Sequence, residues 1–232
     1  MKPRPFIVAI DGPAGAGKSS VSKLLARRMG FSLVDTGAIY RCVALISLRR
    51  QIPFDDDAAL EQLLGNLHLD FEVVGEENRV ILDGQDVSSE IRTPEISMGA
   101  SKVSGRPVVR AGLLALQRRL ALESAAGAVL EGRDIGTVVF PDADLKFFLD
   151  ADPTIRARRR FEELFQKGVE SSLQEVLTDQ TQRDKQDSAR EVAPLKPADD
   201  AVRVDSTSMP LSEVVTSMER DVRARMKTLG RG

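Results

Sequence analysis

The stretch Gly12–Ser19, GPAGAGKS, constrains this chain more than any other. It follows Phe6–Asp11, FIVAID, an apolar run with β-branched residues that reads as a buried strand. It precedes VSKLLARRMG, whose apolar residues recur at helical spacing until Gly30 gives a stop signal. Between a strand and a helix, a Gly-x-x-x-x-Gly-Lys-Ser/Thr string curls so that successive backbone N–H groups point inward at phosphate oxygens. The helix N-terminus adds about half a positive charge. Gly12, Pro13, Ala14, Gly15, Ala16, Gly17, Lys18, Ser19 and Ser20 are therefore the expected triphosphate-binding set. Lys18 is expected to reach the β- and γ-phosphates, and Ser19 or Ser20 to help place Mg2+, directly or through water.

The flanking pattern sets the fold class. FSLVD (31–35) reads as a second strand and TGAIYRCVALISLRRQ (36–51) as a helix, so the chain opens as a parallel α/β sheet flanked by helices. The middle differs. Asp55–Leu64 reads as a helix, and LHLDFEVVG and NRVILDG alternate apolar and polar residues across a Gly-Glu-Glu-Asn turn, as a hairpin does. A hairpin inside a parallel pattern predicts an inserted antiparallel subdomain, over about residues 37–105, in a core made of residues 1–36 and 106–232. RPVVRAGLLALQRRLALES returns to helix, with Pro107 near its start. AVLEG, DLKFFLDA and AVRVDS are further strand candidates. DPTIRARRRFEELFQKG reads as a strongly basic helix, SLQEVLTDQTQRDKQDSAR as a helix of mixed charge, and Ser212–Leu229 as the closing helix.

Composition narrows the chemistry. A net charge of −2 over 232 residues argues against sequence-independent nucleic-acid binding. No apolar run approaches the roughly 18 residues of a membrane span. The single cysteine, Cys42, fits a reducing cytoplasm, and the single histidine, His68, argues against zinc or histidine-based catalysis. Both read as packing or surface residues. The strings Asn-Lys-x-Asp and Asp-x-x-Gly of a switch GTPase are absent. Arginines concentrate at Arg41, Arg110, Arg133, Arg156, Arg158, Arg159, Arg160, Arg183 and Arg190. Guanidinium groups match phosphate oxygens in a bidentate way and stay charged, as transfer between two phosphorylated molecules requires. A phosphate acceptor is already ionised at neutral pH, so it needs no general base.

DGPAGAGKSS, DTGAIYR, ILDGQDVSSEIRTPEIS, GRDIGTVVFPDADLKFFLDA and APLKPADDAVRVDST together resemble the bacterial cytidylate kinase family over nearly the whole chain. The resemblance implies transfer of the ATP γ-phosphoryl group to CMP or dCMP; the phosphate loop brings Mg2+ with the ATP, the single cysteine points to the cytoplasm, and with no exposed apolar stripe to demand a partner a monomer is expected. The resemblance also implies a short helical lid at about 153–170 whose Arg156, Arg159 and Arg160 close over ATP. Thr36, Tyr40 and Arg41 match the acceptor-phosphate segment. Ser101 and Arg110 match residues that read the cytosine edge. Arg133 matches a phosphate ligand and Asp134 the acceptor of the cytosine amino group. Arg183 and Asp187 match sugar contacts, and Arg190 a phosphate arginine. Lys18, Arg133 and Arg190 are thereby the expected catalytic cations. Where the family often has Gly-Lys-Gly-Thr this chain has Gly17-Lys18-Ser19-Ser20; Thr36 replaces a serine, and Glu131 stands where aspartate is common. Two alternatives stand beside this reading: a kinase acting on UMP or a sugar-like acid, and a nucleotide-binding regulator without catalysis.

Overall fold

The computed structural model describes residues 4–75, 77–166 and 168–231. Glu76, in the expected hairpin turn, and Lys167, in the expected lid, lie outside the described residues. The chain divides into two compact units, a core of residues 1–33 and 124–232 and a second unit of residues 34–123.

The core is built on a five-stranded parallel sheet of β1 (Phe6–Asp11), β2 (Ser32–Asp35), β6 (Gly127–Gly132), β7 (Leu145–Asp150) and β8 (Val202–Asp205), in the order β2-β6-β1-β7-β8. β1 is central and every one of its residues is buried, which is why it reads as a continuous apolar run rather than an alternating one. Its two neighbours run parallel to it, with Asp11 opposite Gly132 on one side and Phe148 on the other. The chain is thereby delivered to one edge of the sheet at three adjacent strand ends, where ligands of open α/β sheets bind.

One face of this sheet is covered by α1 (Lys18–Met29) and α8 (Leu211–Thr228). Phe6, Val8 and Ile10 point to it from β1; Val21 and Leu25 come from α1, and Val214, Val215, Met218 and Val222 from α8. The i, i+4 and i, i+3 spacing of these α8 residues is the apolar stripe of an amphipathic helix. Phe6 and Phe31 stack at 6.0 Å between ring centroids. α6 (Pro153–Gln166) and α7 (Leu173–Ser188) complete the core. α7 starts with a reciprocal capping box between Ser172 and Glu175.

The second unit contains α2 (Thr36–Arg49), α3 (Asp57–Leu64), a three-stranded antiparallel sheet, α4 (Pro94–Ser104) and α5 (Pro107–Leu122). The sheet has the order β3 (Leu69–Val74), β4 (Glu77–Leu82) and β5 (Gln85–Asp86). Leu69 pairs with Leu82, and both are buried, whereas Val73 and Val74 at the far end of the hairpin are exposed. α5 belongs to this unit rather than to the core, so the unit extends to residue 123 rather than 105. The reason is close helix packing: a Cβ on Gly112 of α5 would lie 2.8 Å from a Leu64 methyl group at the end of α3. His68 is exposed. Cys42 is buried on α2, and that burial pushes its thiol up to about 12.

Packing at the start of β6 is at its limit. A Cβ on Gly127 would come within 2.8 Å of the Phe31 ring and of the Phe6 carbonyl. Gly127→Ala is expected to lower the unfolding free energy by about 1–3 kcal/mol through overpacking. Chemical denaturation measures it, and an unchanged midpoint would contradict this packing.

Candidate active site

The phosphate loop leaves β1 at Asp11 and enters α1 at Lys18. Gly12 has φ +152°, and a Cβ there would lie 2.0 Å from the Leu149 carbonyl of β7, so no side chain fits where the loop leaves the sheet. Lys18 is buried, and its Nζ donates to the Pro13 carbonyl at 2.7 Å, which closes the ring of the loop. Burial, followed by the charge of Arg133, holds the Lys18 amine well below the usual lysine range, with Arg183 acting in the same sense; Glu131 and Asp11 oppose them. Three cations thus converge on the loop, and the structure meets their repulsion with carboxylates.

Those carboxylates come from strand ends and from α7. Glu131, near the end of β6, accepts from Ser19 Oγ at 2.9 Å. Glu131 has no role assigned in the sequence reading; here it holds the hydroxyl expected to help place the metal. Asp187 of α7 is buried and divides its carboxylate between two arginines: Oδ2 accepts from Arg133 Nε at 2.9 Å, and Oδ1 pairs with Arg190 Nη2 at 2.5 Å. The expected phosphate arginines Arg133 and Arg190 are therefore joined through Asp187. The charge-assisted hydrogen bond from Arg133 and the ion pair with Arg190 hold both guanidinium groups about one carboxylate.

Asp11 performs a further task. Its buried carboxylate accepts from Ile135 N–H at 2.8 Å and from Gly136 N–H at 2.7 Å. Ile135–Val139 follows as a single π-helical turn with Asp134 at its start. The acid that ends the phosphate-loop strand thus pins the turn that carries Arg133 and Asp134. Asp134 itself is buried. Desolvation raises the Asp11 carboxyl to about 6 against the two N–H bonds, which pull the other way, and nearby Asp134 adds to the rise.

The expected lid arginines lie on α6, which carries four arginines in different surroundings. Arg158 is exposed. Arg159 donates to the Ser206 carbonyl at 2.7 Å and to Ser206 Oγ at 3.2 Å, in the loop after β8. Arg160 pairs with Glu163 at 2.8 Å on its own helix. Arg156 is buried beneath the phosphate loop and donates to the Ala14 carbonyl at 2.8 Å.

In the second unit, α2 and α4–α5 carry the remaining expected residues. Asp35 caps α2 by accepting from Ala38 N–H at 2.9 Å, and its other oxygen lies 3.7 Å from Arg41. Thr36 is buried in the first turn of that helix. Arg110 lies over the Tyr40 ring, 5.7 Å from its centroid, and donates to the Ser104 carbonyl at 3.0 Å. Ser101 accepts from Ser104 Oγ through its carbonyl at 3.0 Å. Tyr40 and Arg110 are thus brought together, a planar cation on an aromatic face.

Sequence reasoning missed Asp11, and it missed two residues of α7 that meet the loop: Asp184, which accepts from Ala14 N–H, and Gln180, whose amide lies against Gly15. Asp11 reads in sequence as the polar end of a strand, although its place immediately before the loop is the signal that a strand-end acid faces the site. Nothing in the spacing of Gln180 or Asp184 marks either of them.

A phosphate loop with a buried lysine, half-buried arginines beside it and flanking carboxylates define a nucleotide-binding P-loop protein of the phosphotransferase type. The family model described as cytidylate kinase matches residues 8–224. The chain is 53% identical over 220 residues to a cytidylate kinase from Geobacter sp. (strain M21), covering 95% of this chain and 94% of that protein. It is 53% identical over 222 residues to one from Geobacter sulfurreducens, covering 96% and 94%. It is 47% identical over 212 residues to one from Aeromonas hydrophila, covering 91% of each. The chain belongs to the cytidylate kinase family.

Among the described residues, no helix is long and apolar enough to cross a membrane.

Asp11 gives the site a measurable signature. Its carboxyl is expected to titrate near pH 6, seen as a midpoint in the side-chain carboxyl 13C shift. Its folded value lies above the ordinary 3.8, so the stability Asp11 contributes is complete below about pH 4 and is lost as pH rises through about 6. A midpoint below about 4.5 would contradict the burial argument.

Proposed function

We propose that this chain transfers the γ-phosphoryl group of ATP to CMP, and to dCMP, giving ADP and CDP or dCDP. The observation that carries the reading is the pairing of β1 with β6, which sets the phosphate loop beside a turn bearing one arginine, Arg133, and one buried carboxylate, Asp134. A triphosphate donor accounts for the loop. An acceptor with both a phosphate and a hydrogen-bonding base accounts for the two opposite charges. Family membership selects the base as cytosine.

Each residue then has a chemical task. The loop from Gly12 to Ser20 takes the ATP phosphates, with Arg159 and Arg160 on the same nucleotide. Lys18, Arg133 and Arg190 neutralise the charge that spreads over the transferring group. Thr36, Tyr40 and Arg41 serve the CMP phosphate side, and Arg183 and Asp187 its sugar. Asp134 accepts from the cytosine N4 amino group, while Ser101 and Arg110 donate to its N3 and O2 acceptors. Uracil presents a carbonyl where cytosine presents the amino group, so it meets Asp134 with repulsion. The CMP phosphate oxygen attacks as an anion, and no residue is required to remove a proton from it.

Mg2+ fits the residues present. Ser19 Oγ and Glu131, 2.9 Å apart, form an oxygen donor set of the kind this hard cation prefers. Ser19 or Ser20 would hold it, with Glu131 orienting the Ser19 hydroxyl. When bound there, Mg2+ would supply charge neutralisation for the phosphate groups. A reduced, buried Cys42 fits action in the cytoplasm, and a monomer suffices for every task named.

A coupled ATP-consumption assay over CMP, dCMP, UMP, AMP and GMP tests the reading. CMP and dCMP are expected to lead clearly, and a flat response would refute it. In the same assay, Asp134→Ala is expected to cut kcat/KM for CMP by roughly 100-fold or more while narrowing the preference for CMP over UMP. An equal loss on ATP and CMP would remove Asp134 from the base.

A further inference from the structure

Arg156 and Asp184 lie on neighbouring helices, α6 and α7, and both close on the same residue of the phosphate loop. The Arg156 side chain is only 6% exposed. Its Nη1 donates to the Ala14 carbonyl at 2.8 Å and to Asp184 Oδ2 at 2.6 Å, and its Nε donates to the Ala151 carbonyl at 3.0 Å. Asp184 Oδ1 in turn accepts from Ala14 N–H at 3.4 Å. The ion pair therefore grips Ala14 by both of its main-chain polar groups. The next residue is held by shape. A Cβ on Gly15 would lie 2.6 Å from Gln180 Nε2 and 3.0 Å from the Arg156 carbonyl, so both helices press against the loop. Gln180 Nε2 also donates to that carbonyl at 3.5 Å.

A buried ion pair contributes little net stability compared with apolar residues of the same size. Its effect is on geometry, because the low dielectric makes each bond directional and costly to break. A loop with three glycines in six residues would otherwise sample many conformations, and ordering it on each binding event would weaken affinity.

We propose that Arg156 and Asp184 form a positioning pair for phosphoryl transfer, holding the phosphate loop at Ala14 so that the N–H groups from Gly15 onward keep the curvature a triphosphate needs. Arg156 then acts through the loop and not on the nucleotide, in contrast to the use the family resemblance gives it. The inference rests on the loop binding ATP and is independent of which base Asp134 reads.

Arg156→Lys, Asp184→Asn and the double variant test it, with ATP affinity measured by direct nucleotide titration so that the answer does not depend on the acceptor. CMP affinity, kcat, the two KM values and the thermal midpoint are measured alongside. Each single variant is expected to lose about 10- to 100-fold in ATP affinity or in kcat/KM for ATP, as for small misplacements of a binding group. CMP affinity without ATP is expected to stay within about fivefold, and the double variant to lose no more than the worse single variant. Three outcomes would overturn the proposal. Arg156→Lys could cost ATP binding while Asp184→Asn leaves it intact, which assigns Arg156 to the nucleotide directly. Both singles could lower only the thermal midpoint, which makes the pair a support of the fold alone. The two losses could multiply, which makes the residues independent. Asp184→Glu keeps the charge and displaces the carboxylate, so it answers the same question if Arg156→Lys does not fold.

Discussion

The register between β1 and β6 is the constraint on which the rest of this site depends. It sets Asp11 opposite Gly132, so the chain leaves the sheet on neighbouring strands at the same level. One exit becomes the phosphate loop and the other becomes the Arg133–Asp134 turn. Asp11 then ties the second to the first by accepting both N–H groups at the head of the π-helical turn. A one-residue slip would reverse the facing of every β6 side chain and would take Glu131 from Ser19.

Electrostatics explains why so many charged residues are buried here. Lys18, Arg133, Arg183 and Arg190 suit an anionic substrate, but gathering them costs free energy: burial first, and then the charges of Arg133 and Arg183, hold the Lys18 amine below the usual lysine range. The chain offsets this with carboxylates used as spacers. Asp187 separates and orients two arginines, Glu131 faces the loop from β6, and Asp184 pairs with the arginine beneath Ala14. A cluster arranged in this way is ordered before any ligand arrives, which is the condition under which fixed charges assist a reaction most. Surface pairs such as Arg160–Glu163 have no comparable influence, because water screens them.

Much of the architecture was legible in sequence because its signals are local. FIVAID and AVLEG are continuous apolar runs, as strands buried on both faces must be, LKFFLD is apolar but for Lys146 and its closing aspartate, and the strand–GPAGAGKS–helix order identifies the loop by itself. The hairpin was legible from alternation. Its third strand was not, although Asp83-Gly84 is a hairpin turn signal and both residues have positive φ. α4 also escaped, although Thr93-Pro94 is a helix-start signal and Ile96, Gly99, Ala100 and Val103 recur at helical spacing, because glycine and alanine at two of those buried positions carry little apolar signal; Gly99 is needed where the helix packs against Phe54 and Ala44. The apolar, β-branched run IGTVV coils into a π-helical turn because Asp11 captures its first two N–H groups, a contact across 124 residues. Arg156 shows the same limit from the other side. Its place in a basic run suggested a mobile cation, whereas its three partners are distant in sequence or hidden in backbone carbonyls. Local pattern shows which residues carry charge; only the fold shows what each charge is spent on.

On this reading the phosphate loop and the Arg133–Asp134 turn serve one reaction, with Asp134 reading cytosine. A crystal structure with a non-hydrolysable ATP analogue and CMP tests it most directly. The triphosphate is expected within the Gly12–Ser20 loop and the cytosine N4 within about 3.2 Å of the Asp134 carboxylate. A cytosine ring seated elsewhere, with Asp134 still turned into the protein, would contradict it.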